Sequence, residues 1–288
     1  MNAVFEKELK QYFNGAVSYV CYIFVFLISG LFIWASCIES SSAEFGSVVS
    51  QMALYTFIVP LPVLTMRSFA EERKSRTDQL LYSLPLKMTD VVLGKFFAAA
   101  VVFLVPVAVM CLAPLFLRIY GTVNLALSYS ALFAYFLAAC AFISVGIFIS
   151  SLTESQIAAA VITAVLIFFN YYMPYLSQYA SQSSLASVIF LVVLGAILGF
   201  IVWFATKNAT TGLFVGLIID LALVAIYYLN SDALSNVIPN VLNNISLFDS
   251  LSTFGSGTFS LNAIFKYFSV IVVFLFLTVQ SAEKRRWE

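Results

Sequence analysis

Ten charged residues fall between Arg67 and Lys95, in RSFAEERKSRTDQLLYSLPLKMTDVVLGK, in a chain of 288 residues with 14 basic and 14 acidic side chains. Such residues form ion pairs and docking contacts. They do not assemble a reaction centre by themselves. The chain has no histidine, which removes the commonest general acid–base residue and metal ligand. It has no GxxxxGK[ST] loop for nucleotide, no HExxH and no GxSxG. Its four cysteines, Cys21, Cys37, Cys111 and Cys140, lie within or at the ends of apolar runs and form no CxxC. They read as small buried apolar residues rather than as disulfide or metal ligands. Catalytic and metal-ligating residues are therefore expected to be none.

A second chemical candidate is Asp220, an acid deep in an apolar run. Intramembrane acids are functional by default. The competing reading is a structural hydrogen bond, for which Asn170 and Tyr227 are candidate partners. No second intramembrane charge completes a relay, so structure ranks first. Gly195/Gly199 and Gly212/Gly216 are small-xxx-small pairs that let two helices approach closely. Packing of the two neighbouring helices on each other is the simpler use, a dimer contact the sharper one.

The elements that must hold these residues follow from composition. The chain is 62% hydrophobic and 10% charged, with a mean hydropathy of +1.01. Soluble domains carry about 25% charged residues. The net charge of zero leaves no footprint for nucleic acid. Apolar runs at 17–38, 48–66, 93–118, 127–150, 157–177, 187–206, 212–230 and 263–282 are each near the ~20 residues a bilayer requires. The expectation is an all-α polytopic membrane protein with about eight helices, forming a single transmembrane domain over 1–288. Only Lys207–Thr211 separates the sixth run from the seventh.

Orientation follows the basic residues. With both ends inside, twelve of the 14 lysines and arginines face the cytoplasm and only Arg118 and Lys266 lie outside. A charge at mid-bilayer costs about 2.5–3.5 kcal/mol, so the 67–95 island sits in water between two spans. The outer segments include a long one, 231–262, rich in Ser, Asn and Gly, with one or two short surface helices expected. Leu234, Val237, Val241 and Leu242 form the apolar side of the first.

Within the island, Ser75 three residues before Asp78 predicts a helix start. Leu80, Leu81 and Leu84 share a side, and Pro85 ends the turn. Thr89 and Asp90 suit the start of the next span. Either a solvated loop or a short docking helix fits this pattern. Residues 3–14 place Phe5, Leu9, Tyr12 and Phe13 at helical spacing against Glu6, Lys7, Glu8 and Lys10. This predicts an amphipathic helix lying in the membrane surface, with Glu6 and Lys10 as an i,i+4 pair. The inner turn SSLTESQ, 150–156, carries one charge, Glu154. Pro60 and Pro62, and Pro106 and Pro114, interrupt the second and third spans, either to transmit a push or to fit shape. Tyr171, Tyr172 and Tyr175 fit an aromatic belt at the outer end of a span.

FAEERKSRTDQLLYSLPLKMTDVVLGK resembles the cytosolic segment of ABC-2-type transporter permeases. The matching elements are Glu71, Glu72 and Arg73, then Thr77 with Asp78, Leu80–Leu81, Pro85 and the closing Gly94–Lys95. The family usually has glycine before the threonine, and this chain has Arg76 there. The N-terminal helix (1–15) is similar to the family's elbow helix, and 150–156 to its second inner turn. The ending FLFLTVQSAEKRRW looks like that of the gliding-motility subgroup. The resemblance implies an ABC-2, type V exporter-like transmembrane domain that couples to a separate ATPase through 67–95. The coupling residues would be Glu72, Arg73, Arg76, Thr77, Asp78, Leu80, Leu81 and Pro85, with Glu154 in the minor contact. It further implies ATP and magnesium in that partner, none bound here, and a second permease chain. It places the chain in a bacterial plasma membrane with cytoplasmic termini, and in some members alongside an extracytoplasmic accessory protein. The alternatives are an ion-coupled secondary transporter using Asp220, a membrane enzyme, and a scaffold without a transport path.

Overall fold

The computed structural model describes residues 2–39, 44–77, 87–180, 183, 189–190 and 236–287. Asp78, Leu80, Leu81, Pro85, Gly195, Gly199, Gly212, Gly216 and Asp220 lie outside the described residues, as do the spans at 187–206 and 212–230. Every described element is helical: α1 (Asn2–Asn14), α2 (Ala16–Ile33) with a π-helical extension Trp34–Glu39, α3 (Phe45–Ile58), α4 (Pro60–Thr65) and α5 (Ala70–Lys74). After these come α6 (Met88–Met110), α7 (Leu112–Tyr120), α8 (Leu125–Leu152), α9 (Gln156–Tyr179), α10 (Val237–Ile245), α11 (Leu247–Gly255) and α12 (Leu261–Trp287).

Among the described residues five helical stretches are long and apolar enough to cross a membrane: Ala16–Glu39, Met88–Ile119, Leu125–Leu152, Gln156–Tyr179 and Leu261–Arg285. They coincide with the first, third, fourth, fifth and last expected spans. The second expected span is two helices, α3 and α4, and its prolines explain why. Pro60 and Pro62 cannot donate to the carbonyls of Thr56 and Ile58, four residues earlier. The helix stops at Ile58 and restarts with Pro60 in its first turn, the position proline tolerates. The third span breaks for the same reason. Pro114 offers no N–H to Met110, and α6 gives way to α7 at Cys111. The Tyr129 hydroxyl donates to the Cys111 carbonyl at this break, at 3.2 Å. Pro106, by contrast, is accommodated inside α6.

Met1–Tyr171 with Leu247–Glu288 forms one unit and Tyr172–Ser246 another. In the first unit α8 is the buried central helix, and its residues from Ala131 to Ile143 fill the core. Phe57 packs on Phe103, Tyr135, Phe142 and Phe248 with ring centroids 4.6–6.0 Å apart. Tyr135 donates to Thr56 Oγ1 at 2.7 Å, so its buried hydroxyl is satisfied. Gly146 lets α8 press on α4, since a Cβ there would overlap Thr65. The backbones of Gly46 and Gly255 meet in the same way, joining α3 to α11.

That last contact corrects one expectation. Two short helices do form in the described part of the 231–262 segment, but only α10 lacks buried residues. Helix α11 buries Leu247, Phe248, Leu251 and Phe254 within the first unit. Four apolar side chains in nine residues, on one helical face, cannot stay in water when a core is available. Asn170 is part of this arrangement: its Oδ1 accepts the Leu247 N–H at 2.9 Å at the start of α11. Tyr171 also departs from the belt reading, since its ring stands edge-on against Phe248 at 5.2 Å. In the second unit Tyr172 and Tyr175 are exposed, as a belt requires. There Ser177 donates to Asn243 Oδ1 at 2.7 Å.

A candidate coupling junction at one end of the bundle

Helix α1, the 66–77 segment, the start of α6, the α8–α9 turn and the end of α12 meet at one end of the first unit. Helix α1 presents Val4, Glu8 and Tyr12 inward, at i, i+4 and i+8. The expected apolar face, Phe5, Leu9, Tyr12 and Phe13, is therefore rotated, and Glu8 belongs to the buried stripe. Glu6 and Lys10 are exposed, and among the described residues the expected pair between them does not form. Helix α1 lies directly on α6 at Gly94, where a Cβ would come within 3.1–3.3 Å of Val4 and the Phe5 nitrogen. A glycine permits that approach. The next residue, Lys95, then reaches across.

Lys95 is the centre of the junction. Its side chain is 2% exposed, and Nζ donates to Glu8 Oε1 at 2.8 Å and ion-pairs with Glu72 Oε1 at 3.0 Å. Lys7 approaches the same Glu72 oxygen at 3.4 Å from the solvent side. The Lys95 ammonium stands 5.1 Å from the centroid of the Phe69 ring. A buried lysine of this kind must be paired, because desolvation of a lone ammonium would force it neutral. Tyr12 ties α1 to the broken second span by donating to the Leu64 carbonyl at 3.0 Å. Burial pushes its phenol well above the ordinary value, so it stays a donor at physiological pH. A recess of about 20 Å³, lined by Glu8, Gln11, Tyr12, Gly15, Val17 and Arg67, has room for about one water and not for a substrate.

The island begins with α5, a short helix ahead of the one expected after Ser75, whose residues from Asp78 on lie outside the described residues. Ser75 closes α5. The Thr77 N–H donates to the Glu72 carbonyl at 2.9 Å and the Arg76 N–H to the Arg73 carbonyl at 3.0 Å, a Schellman closure. Arg76 occupies the left-handed position with φ 56°. That is where glycine is favoured, which gives a physical reason for a glycine before the threonine. The N-terminus of α5 is capped from another element. Ser150 Oγ, at the end of α8, accepts the Phe69 and Ala70 N–H groups and donates to the Met66 carbonyl, each at 3.1 Å. Helix α6 starts two residues earlier than a Thr89 cap would place it, with Lys87 at the cap position and Thr89 inside the first turn.

Among the expected coupling residues, Arg73 is buried, Glu72 is partly buried, and Arg76, Thr77 and Glu154 are exposed. Glu154 lies 3.8 Å from Arg285 of α12, and Ser281 donates to the Ser151 carbonyl at 3.5 Å. The α8–α9 turn therefore joins both α5 and the final helix. Sequence reasoning did not assign roles to Lys95, Glu8 or Ser150. The signal for Lys95 was present: a lysine beyond the first turn of an apolar helix requires a buried partner.

The described residues form a multi-pass helical membrane protein with charged side chains gathered at this junction. The chain matches the family model described as ABC-2 family transporter protein over residues 3–178, and it belongs to that family. No curated protein matches it. It is accordingly a non-catalytic membrane component of an ABC transporter, embedded in a bilayer.

Proposed function

We propose that this chain is the permease subunit of an ATP-driven exporter. A separate ATPase, carrying ATP and magnesium, docks on the segment from Ser75 to Pro85 as its main contact and on the turn around Glu154 as its minor one. Helix α1 is the interfacial elbow helix, and two permease chains enclose the path. Both termini are cytoplasmic, in a bacterial plasma membrane. The 231–262 segment faces outward and is the place for an extracytoplasmic accessory protein, and the gliding-motility permeases are the subgroup of best resemblance.

The observation that carries this reading is the Ser150 joint. Three hydrogen bonds through one hydroxyl fasten the first charged segment to the second inner turn. A force on either one therefore reaches both, and exposed Arg76, Thr77 and Glu154 stand on the outside of that joint. The test is affinity capture of the chain from its native membrane in mild detergent, with mass spectrometry of what accompanies it. A P-loop ATPase is expected, and Leu80→Glu with Leu81→Glu should abolish its recovery while the chain remains folded. Recovery of the chain alone, under conditions that preserve a control ABC complex, would overturn the reading. Unchanged recovery with the double variant would overturn the docking assignment.

A further inference from the structure

We propose that Lys95 is a positioning residue with one permanent and one releasable partner: it holds Glu8 of α1 throughout, and lets Glu72 of α5 go when the charged segment moves. This rests on the permease reading for what moves the segment. The device itself is a property of this chain.

The two carboxylates are not equivalent. Glu8 sits in a 13-residue helix seated on α6 at Gly94, next to Lys95 in sequence. Its carboxylate is 7% exposed and makes the shorter contact, 2.8 Å. Glu72 belongs to a five-residue helix. Its Oε1 is shared between Lys95 at 3.0 Å and Lys7 at 3.4 Å. Its Oε2 is buried and has no hydrogen-bond partner among the described residues. Buried polar atoms are normally satisfied. On the same helix Glu71 Oε2 is held only by a long ion pair, 3.7 Å from Arg67 Nε. Glu72 Oε2 carries an unmet demand for a hydrogen bond that movement toward water would relieve.

Charge balance makes the release inexpensive in one direction only. With both carboxylates in place, Glu8 and Glu72 are matched by Lys95 and Lys7. When Glu72 leaves, its second partner Lys7, 61% exposed, is already in water. What remains buried is the neutral pair Lys95–Glu8. Without Glu8 the situation reverses. Lys95 would then depend on Glu72 alone, and release of α5 would strand a buried ammonium, which is strongly unfavourable. Removal of either carboxylate should therefore act in opposite senses on α5, a result that simple destabilisation cannot give.

The test is hydrogen exchange by mass spectrometry on the full chain in lipid nanodiscs, following the peptide over 68–77 and the peptides of α1. Glu72→Gln should speed exchange over 68–77 by about tenfold or more, the scale of a lost charge-assisted hydrogen bond, with α1 unchanged. Glu8→Gln should speed exchange in α1 and hold 68–77 at or below the wild-type rate. The isosteric pair Glu8→Gln with Lys95→Met removes the anchor without leaving a buried charge, and should speed 68–77 as Glu72→Gln does. Faster exchange over 68–77 in Glu8→Gln, matching Glu72→Gln, would overturn the proposal. If Glu8→Gln does not fold, the double variant decides: 68–77 at the wild-type rate there overturns it. Capture of the ATPase is not involved, so failure here is distinguishable from failure of the permease reading.

Discussion

Replacement of Ser150 by alanine tests the joint between the two charged segments directly. The hydroxyl is fully buried and accepts two backbone N–H groups, from Phe69 and Ala70, themselves 3% and 0% exposed. Removing it strands both donors and leaves the Met66 carbonyl without this donor. A buried orphaned donor costs about 1–3 kcal/mol. Partial hydration of two such groups gives a local loss of about 2–4 kcal/mol, or roughly 30- to 1,000-fold in the opening equilibrium of α5. Because α5 has five residues, it has little intrinsic stability with which to resist. The effect should stay local, since the packing of α8 against α3 and α6 does not use this hydroxyl. Hydrogen exchange over 66–77 should rise by that factor in Ser150→Ala, with the peptides of α6 and α12 unchanged. Ser150→Thr, which keeps the oxygen, should restore most of the protection. Exchange over 66–77 within about threefold of wild type would refute the cap, because a frayed α5 cannot remain protected.

Arg76→Gly should slow exchange at the end of α5, because it removes a left-handed strain of about 1 kcal/mol at φ 56°. Gly146→Val should lower the thermal midpoint of the purified chain, since even a Cβ overlaps Thr65; the overpacking cost is about 1–3 kcal/mol. Lys95→Met should destabilise far more than Arg285→Met, by about 3–5 kcal/mol for the buried pair against less than about 1 for the exposed one. Equal shifts in thermal unfolding would count against the junction. Tyr12 favours its neutral form in the fold, so its contribution is complete below its ordinary pKa of 10.0 and is lost as pH rises above that. Tyr12→Phe should flatten the alkaline limb of a stability–pH curve, and an unchanged limb would remove Tyr12 as its cause.

Among the described residues five of the eight expected spans were legible, because hydrocarbon selects for length and apolarity alone, and the prolines marked the breaks for a reason that sequence displays. What could not be read is which helix face turns inward. The amphipathic stripe of α1 suggested Phe5, Leu9, Tyr12 and Phe13, yet Val4, Glu8 and Tyr12 are buried. An acid was counted as solvent-facing because its partner, Lys95, lies 87 residues away. Ser75 is a similar case. A serine three before an aspartate reads as the start of the helix that follows it; within the described residues the same serine closes the helix before it, α5, whose own cap comes from Ser150. Helix α11 shows the reverse error, a Ser- and Asn-rich neighbourhood masking a strongly apolar face. Local pattern governs where helices exist; long-range partners govern what they bury.

The distribution of interactions explains why one end of this bundle can move while the rest stays fixed. In the core, Phe57, Tyr135, Phe142 and their neighbours interlock, Gly46 and Gly255 bring backbones into contact, and Gly146 receives the Thr65 side chain. Packing of this kind has no intermediate settings, because interiors are close-packed and a small displacement forfeits many contacts together. At the charged end the 66–77 segment is held by the Ser150 hydroxyl, by one shared carboxylate oxygen and by a short helix with a strained closure. The hydroxyl accounts for about 2–4 kcal/mol and the shared carboxylate bond for about 1.5–3 kcal/mol, and both can be exchanged for water. Low local stability joined to a rigid core is the arrangement required of an element that is pushed by a partner. Helix α1 lies on the boundary, anchored by Gly94, Lys95 and the Tyr12–Leu64 bond.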